Sequence, residues 1–87
     1  MALDIIERKT VEFKEKFSTE SAQKLVDRFN YLVADKGWNI IKQAYIHTLQ
    51  SEIISRDLIK DPEEKQIIAH SIYHPIELSD GHIQLVR

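Results

Sequence analysis

The stretch that decides the fold is Ile76-Glu77-Leu78-Ser79-Asp80-Gly81-His82-Ile83-Gln84-Leu85. Apolar and polar residues alternate on both sides of Asp80-Gly81, a dipeptide that favours the left-handed backbone of a two-residue hairpin turn. With that turn, Leu78 opposes Ile83, Glu77 opposes Gln84 and Ile76 opposes Leu85, so four aliphatic side chains share one face. The pattern predicts a hairpin over about 76–86. A two-stranded ribbon is marginal alone in water, so its apolar face needs cover from the rest of the chain. Each strand would also keep an open hydrogen-bonding edge at which another chain could add.

Upstream of the hairpin the apolar period changes from two to between three and four, so the cover is helical. Asp61-Pro62-Glu63-Glu64 starts a helix over about 62–74: Asp61 caps, Pro62 suits the first turn, and Glu64 stands at the capping-box position. Ile67, Ile68 and Ile72 form its buried side, and Pro75 disfavours helical geometry at His74. Before it, Asn39 is the expected N-cap of a helix over about 39–57. Trp38, Ile41, Tyr45, Ile46, Leu49 and Ile53 gather on one side of this segment and are read as core, Trp38 included because it opens the face, with an exposed recognition anchor as the alternative for Trp38. Ile40, His47 and Ile54 form a second row nearly opposite, the pattern of a central helix.

Two further helices complete the pattern. Leu25, Val26, Phe29 and Leu32, flanked by Ala22 and Val33, hold helical spacing over about 19–36. Ser18 and Thr19 are the expected caps, and Gly37 is the expected left-handed stop. Over about 3–17, Leu3, Ile6, Phe13 and Phe17 mark one face, with Thr10 filling the gap. Asp4, Arg8, Glu12 and Lys16 form a solvated ladder of alternating sign, at about 0.2–0.5 kcal/mol per pair. The reading is a single, mainly α domain over residues 1–87, a four-helix small domain with a C-terminal β-hairpin.

Composition excludes several function classes. A chain of 87 residues supports one hydrophobic core. Twelve basic against fourteen acidic side chains give a net charge of −2, and residues 1–36 hold seven of each sign, interspersed. No basic surface is on offer for phosphates, which argues against a nucleic-acid partner. Cysteine is absent, so disulfides, thiolate nucleophiles and Cys-bearing zinc sites are excluded. The longest apolar run, Tyr31 to Ala34, is far shorter than the roughly 20 residues that cross a bilayer, so no membrane partner is expected. Asp4, Glu7, Arg8 and Lys9 occupy the region where a signal peptide needs its apolar stretch, which points to the cytoplasm.

Chemistry-bearing constellations are few. His70 and His74 stand four apart on the expected fourth helix, a spacing that aims two imidazoles the same way and could hold a divalent metal. Ser71 takes the place that glutamate occupies in a hydrolytic zinc motif, and spacing dictates no third ligand. A small metal-binding regulatory protein using His70 and His74 is therefore the alternative reading, and no metal site is assigned. The two glycines, Gly37 and Gly81, build no phosphate loop. Nothing resembles a nucleophile elbow, and Glu63 and Glu64 are accounted for by capping and the helix dipole. No catalytic residue is singled out, no cofactor is called for, and the chain is read as non-enzymatic.

The informative surfaces concern association. Ile40, His47 and Ile54 on the third helix, and Leu78 and Ile83 on the hairpin, are the candidate interface residues. Intramolecular cover is expected for one of these two surfaces and a contact with a protein partner or a second copy for the other. Trp38, Ile41, Tyr45, Leu49 and Ile53, followed by the Asp61-Pro62-Glu63-Glu64 start of a helix ending near Pro75, resemble short helical tailed-phage proteins encoded among virion or DNA-packaging genes. The resemblance covers residues 38–76 and implies a virion-associated or accessory role, with incorporation into a particle after synthesis. It carries over no functional residue. The expected function is a non-enzymatic protein-interaction or assembly module. A DNA regulator ranks last, because the third helix is too apolar to read bases.

Overall fold

The computed structural model describes residues 2–35 and 37–86, with side chains from Ile5 onward, so the Leu3 and Asp4 side chains lie outside the described residues. The chain is mainly α: four helices, α1 (Ala2–Ser18), α2 (Ala22–Ala34), α3 (Ile40–Ser55) and α4 (Pro62–His70), precede the strands β1 (Ile76–Ser79) and β2 (His82–Leu85). The strands pair antiparallel in the register set by the alternation, with Leu78 opposite Ile83 and Ile76 opposite Leu85. Asp80 and Gly81 have φ of 52° and 78°, the backbone that lets a two-residue turn follow the twist of the strands.

Helix α3 is central and packs against α1, α2 and α4. Its apolar residues lie on two sides rather than one. Leu49 and Ile53 are fully buried and meet Leu25, Phe29 and Ile68 in the core. Phe17 of α1 is also fully buried. Tyr45 meets the edges of Phe13 and Phe17 at ring separations of 5.0 and 5.1 Å, the arrangement that the ring quadrupole favours. Ile6 shares a cleft with Ile40, and the Phe17 carbonyl accepts from Arg56 Nη2 at 2.8 Å, so α1 runs parallel to α3. The hairpin adds Ile76 and Ile83, each 1% exposed. Burying such a side chain contributes roughly 1.5–3 kcal/mol, enough to hold a ribbon that would not persist alone.

Helix boundaries follow local hydrogen bonding, and several differ from the sequence pattern. Asn39 and Asp61 cap α3 and α4 as their positions suggest, accepting from Lys42 N–H and Glu63 N–H. Ser21, rather than Ser18 or Thr19, caps α2 by accepting from Lys24 N–H. The hydroxyls of Ser18 and Thr19 instead donate back to the Glu15 and Lys16 carbonyls and close α1. Gly37 is not left-handed; α2 ends where Asp35 turns extended with its N–H still bonded to the Tyr31 carbonyl.

The largest difference is in α4, which stops at His70 rather than His74. Gln50 of α3, 6% exposed, donates its side-chain amide to the Ile68 and Ser71 carbonyls. A longer helix would have offered the Ile68 carbonyl to the Ile72 N–H. Ser71 is extended, and its hydroxyl accepts from Tyr73 N–H. The helix therefore ends four residues before the geometry forbidden by Pro75.

Candidate functional site

Three surfaces could engage a partner. The first, the hairpin edge, is engaged by the chain itself at four backbone groups. On the outer side of β1, Asn30 accepts from the Ile76 N–H and donates to the Ile76 carbonyl, both at 2.8 Å. On the outer side of β2, Ile83 N–H donates to the Leu58 carbonyl at 2.9 Å, and Leu85 N–H donates to Glu64 Oε1 at 3.0 Å. Strand addition needs those groups free, so the expectation of open edges fails at these positions. Ile83 belongs to the core and Leu78 is half-buried against it. These two candidate interface residues are used in holding the ribbon to the helices.

The second surface is the Ile40, His47 and Ile54 row of α3. Ile40 is 52% exposed, His47 is exposed and Ile54 is half-buried against the core. The row forms the floor of a shallow trough between α1 and α4. His47 lines three adjoining hollows of about 400, 410 and 630 Å³. Thr10, Lys14, Thr48, Ser51 and Ser55 line one end of it, with Ile6 and Ile40 towards one side and Ile54, Ala69 and His70 towards the other, so the trough is wide and mixes aliphatic with polar side chains. Among the described residues that line it there is no Trp, Tyr or Arg, the side chains that most often dominate binding energy.

The third surface centres on Trp38, for which the sequence pattern favours the core. Trp38 is 70% exposed and not core. Helix α3 begins at Ile40, so Trp38 precedes the N-cap and the 100° per residue rule does not reach it. Tyr31 is 71%, Tyr73 82% and Ile41 39% exposed. These four side chains surround an ion pair between Lys42 Nζ and Asp35 Oδ2 at 3.0 Å. On one side of the pair lies a cleft of about 280 Å³ bordered by Tyr31, Ile41, Phe13 and Tyr45. On the other lies a cleft of about 190 Å³ between Trp38 and Tyr73, floored by Val33, Ile46 and Ile72. Asp35, Lys42 and Leu32 border both clefts.

This aromatic corner is held in place before any partner arrives. The Lys42 ammonium donates to the carbonyls of Asp35 and Gly37 as well as to the Asp35 carboxylate. Asp35 Oδ1 accepts from Gly37 N–H at 3.1 Å. That backbone hydrogen bond, reinforced by Lys42, holds the Asp35 carboxyl below the usual aspartate value and keeps it anionic. Asn39 caps the helix immediately after Trp38. The adjacency of Trp38 to an N-cap asparagine is the sequence signal that places it outside the helix.

Charged groups elsewhere serve the fold. Arg28 makes a bidentate contact with Glu20, both bonds at 2.6 Å, and donates to the Tyr45 hydroxyl. The hydrogen bonds from Arg28 hold the Glu20 carboxyl below its ordinary value, and the carboxylate raises the guanidinium in turn. Arg56 is shared between Glu52 and the Phe17 carbonyl. Neither arginine is free for phosphate. His70 ends α4 while His74 lies beyond it, so the two imidazoles do not share a helical face. Among the described residues no group of three or more His, Cys, Asp or Glu could hold a metal ion, and no helix is long and apolar enough to cross a membrane.

No family model, no curated protein and no solved structure matches the chain.

Proposed function

We propose that the chain is a non-enzymatic protein-interaction module that docks through the aromatic corner formed by Tyr31, Trp38, Ile41 and Tyr73. The observation that carries this reading is the 70% exposure of Trp38 on a loop fastened by Lys42. Tryptophan and tyrosine dominate binding energy where they are presented rigidly, because little side-chain freedom is lost on contact. An assembly or accessory role, including one within a virion, is the setting this reading favours. A photo-crosslinking side chain placed at position 73, with one at Glu63 as a control, tests it in the cells that make the protein. A discrete protein adduct is expected from position 73 and not from position 63, and Trp38→Ala should abolish it. Equal labelling at both positions would refute docking at the corner.

A second reading, self-association through the α3 trough, is favoured by the half-exposed Ile40 beside His47. Ile40→Asp combined with His47→Glu leaves the core untouched. The pair should abolish any concentration-dependent dimer seen by sedimentation if the trough forms the contact.

A further inference from the structure

We infer that the aromatic corner takes a short, basic, proline-containing peptide in the extended polyproline II conformation. One proline ring would sit in each of the clefts that flank the Asp35–Lys42 pair. This inference rests on the docking reading above and names its occupant.

Area argues for a short segment over a second folded copy. An aromatic side chain offers about 150–250 Å², so at their observed exposures Tyr31, Trp38 and Tyr73 together present about 330–560 Å². A stable interface between folded partners buries about 800 Å² on each side. The clefts, about 280 and 190 Å³, are also smaller than the roughly 300–1,000 Å³ of sites that enclose small molecules. They suit single side chains delivered from a backbone that lies across the ridge between them.

The available polar groups select the backbone conformation. Polyproline II has no internal hydrogen bonds, so its carbonyls seek donors from the partner. The Trp38 indole N–H and the Tyr31 and Tyr73 hydroxyls are exposed, and none of them bonds to another described residue. The alternative peptide modes lack their requirements here. Strand addition is blocked at Ile76, Ile83 and Leu85. Phosphopeptide capture needs arginines at the site, whereas no described arginine borders either cleft.

Charge selects the sequence. The Asp35 side chain is 42% exposed on the ridge and that of Lys42 only 11%, so the ridge shows a carboxylate to the incoming chain. A peptide with prolines three apart returns both rings to the same side after one polyproline II turn. Arg or Lys between them would meet Asp35, and an arginine plane could also stack on the neighbouring rings.

Selection of random twelve-residue peptides displayed against the intact protein, counter-selected on a Trp38→Ala, Tyr73→Ala double variant, tests the inference. Circular dichroism of the variant confirms its fold. The expected outcome is enrichment of proline at i and i+3 with Arg or Lys nearby. Synthetic peptides of that pattern should bind the intact chain and weaken at least about tenfold on either single substitution, as central interface residues do. Enrichment of corner-dependent peptides without proline overturns this inference and leaves docking at the corner standing. A corner-dependent dimer that proline peptides fail to displace overturns it in favour of a second copy. Failure to enrich any peptide that distinguishes the protein from its double variant overturns both readings.

Discussion

At the hairpin, Ile76 and Ile83 are 1% exposed, both outward backbone groups of Ile76 have partners, and so do the outward N–H groups of Ile83 and Leu85. At the aromatic corner, Trp38 and Tyr73 stand 70% and 82% exposed, and their polar ends bond to no described residue. Both regions are rich in apolar residues, and in sequence the hairpin has the more obvious docking pattern. The difference lies in where the polar groups find partners. Three residues from distant parts of the chain, Asn30, Leu58 and Glu64, close the ribbon, whereas Lys42 rigidifies the corner without covering it. Apolar content alone does not locate an interface; unmet hydrogen-bonding capacity beside it is the more discriminating sign.

The largest loss is expected at the core side of the ribbon. Ile83→Ala removes most of a fully buried side chain and should lower the unfolding free energy by about 2–5 kcal/mol, read as a fall in the urea midpoint. If the loss is small, Ile83 is not holding the hairpin down and the closed-ribbon description is wrong. Asn30→Ala comes next. It strands the N–H and carbonyl of Ile76 and should cost about 1–3 kcal/mol. It should also expose the β1 edge, so concentration-dependent aggregation on light scattering is expected from this variant and not from Trp38→Ala. Asn30→Asp keeps an acceptor for the Ile76 N–H but places oxygen against the Ile76 carbonyl, and should rescue only in part.

A smaller effect reports how α2 is tied to the end of α1. The Glu20 carboxyl is held below its ordinary value of 4.5 by its hydrogen bonds from Arg28. A depressed folded-state value means that the stabilisation is fully present above the unfolded value and is lost as pH falls through the folded one. Denaturation by urea should therefore become easier as the solution is acidified below about pH 4.5. Glu20→Gln should flatten that acid limb, with a contribution of about 1 kcal/mol or less for a pair still partly in contact with water. The smallest expected change in stability belongs to Trp38→Ala, within about 0.5 kcal/mol, because nothing in the core is removed. Its effect should appear in binding and crosslinking alone, and a large drop in urea midpoint would mean that the indole supports the fold.

Features governed by neighbouring residues were legible in the sequence. The period-two alternation and Asp80-Gly81 specified the strand register, and Asn39 and Asp61 specified two helix starts. The central position of α3 followed from its two apolar rows. Features governed by distant partners were not. Asn30 reaches Ile76 across 46 residues, and Gln50 reaches the end of α4 across 18. No local periodicity records either contact. The exposure of Trp38 was missed because helical spacing was extended through Asn39 into a residue that is not helical. For the candidate site, the α3 row was visible as a surface feature, while the corner needed the loop geometry and the early end of α4.

That early end decides more than a boundary. Where Gln50 holds the Ile68 and Ser71 carbonyls, residues 71–75 leave the helical path and Tyr73 lies alongside Trp38. A helix allowed to continue would have kept Tyr73 wound on its own axis, and the smaller cleft would lose a wall. One buried carboxamide on α3 thus braces the turn behind a surface it does not itself line, and its replacement should reshape what the protein can grip without altering any residue that does the gripping.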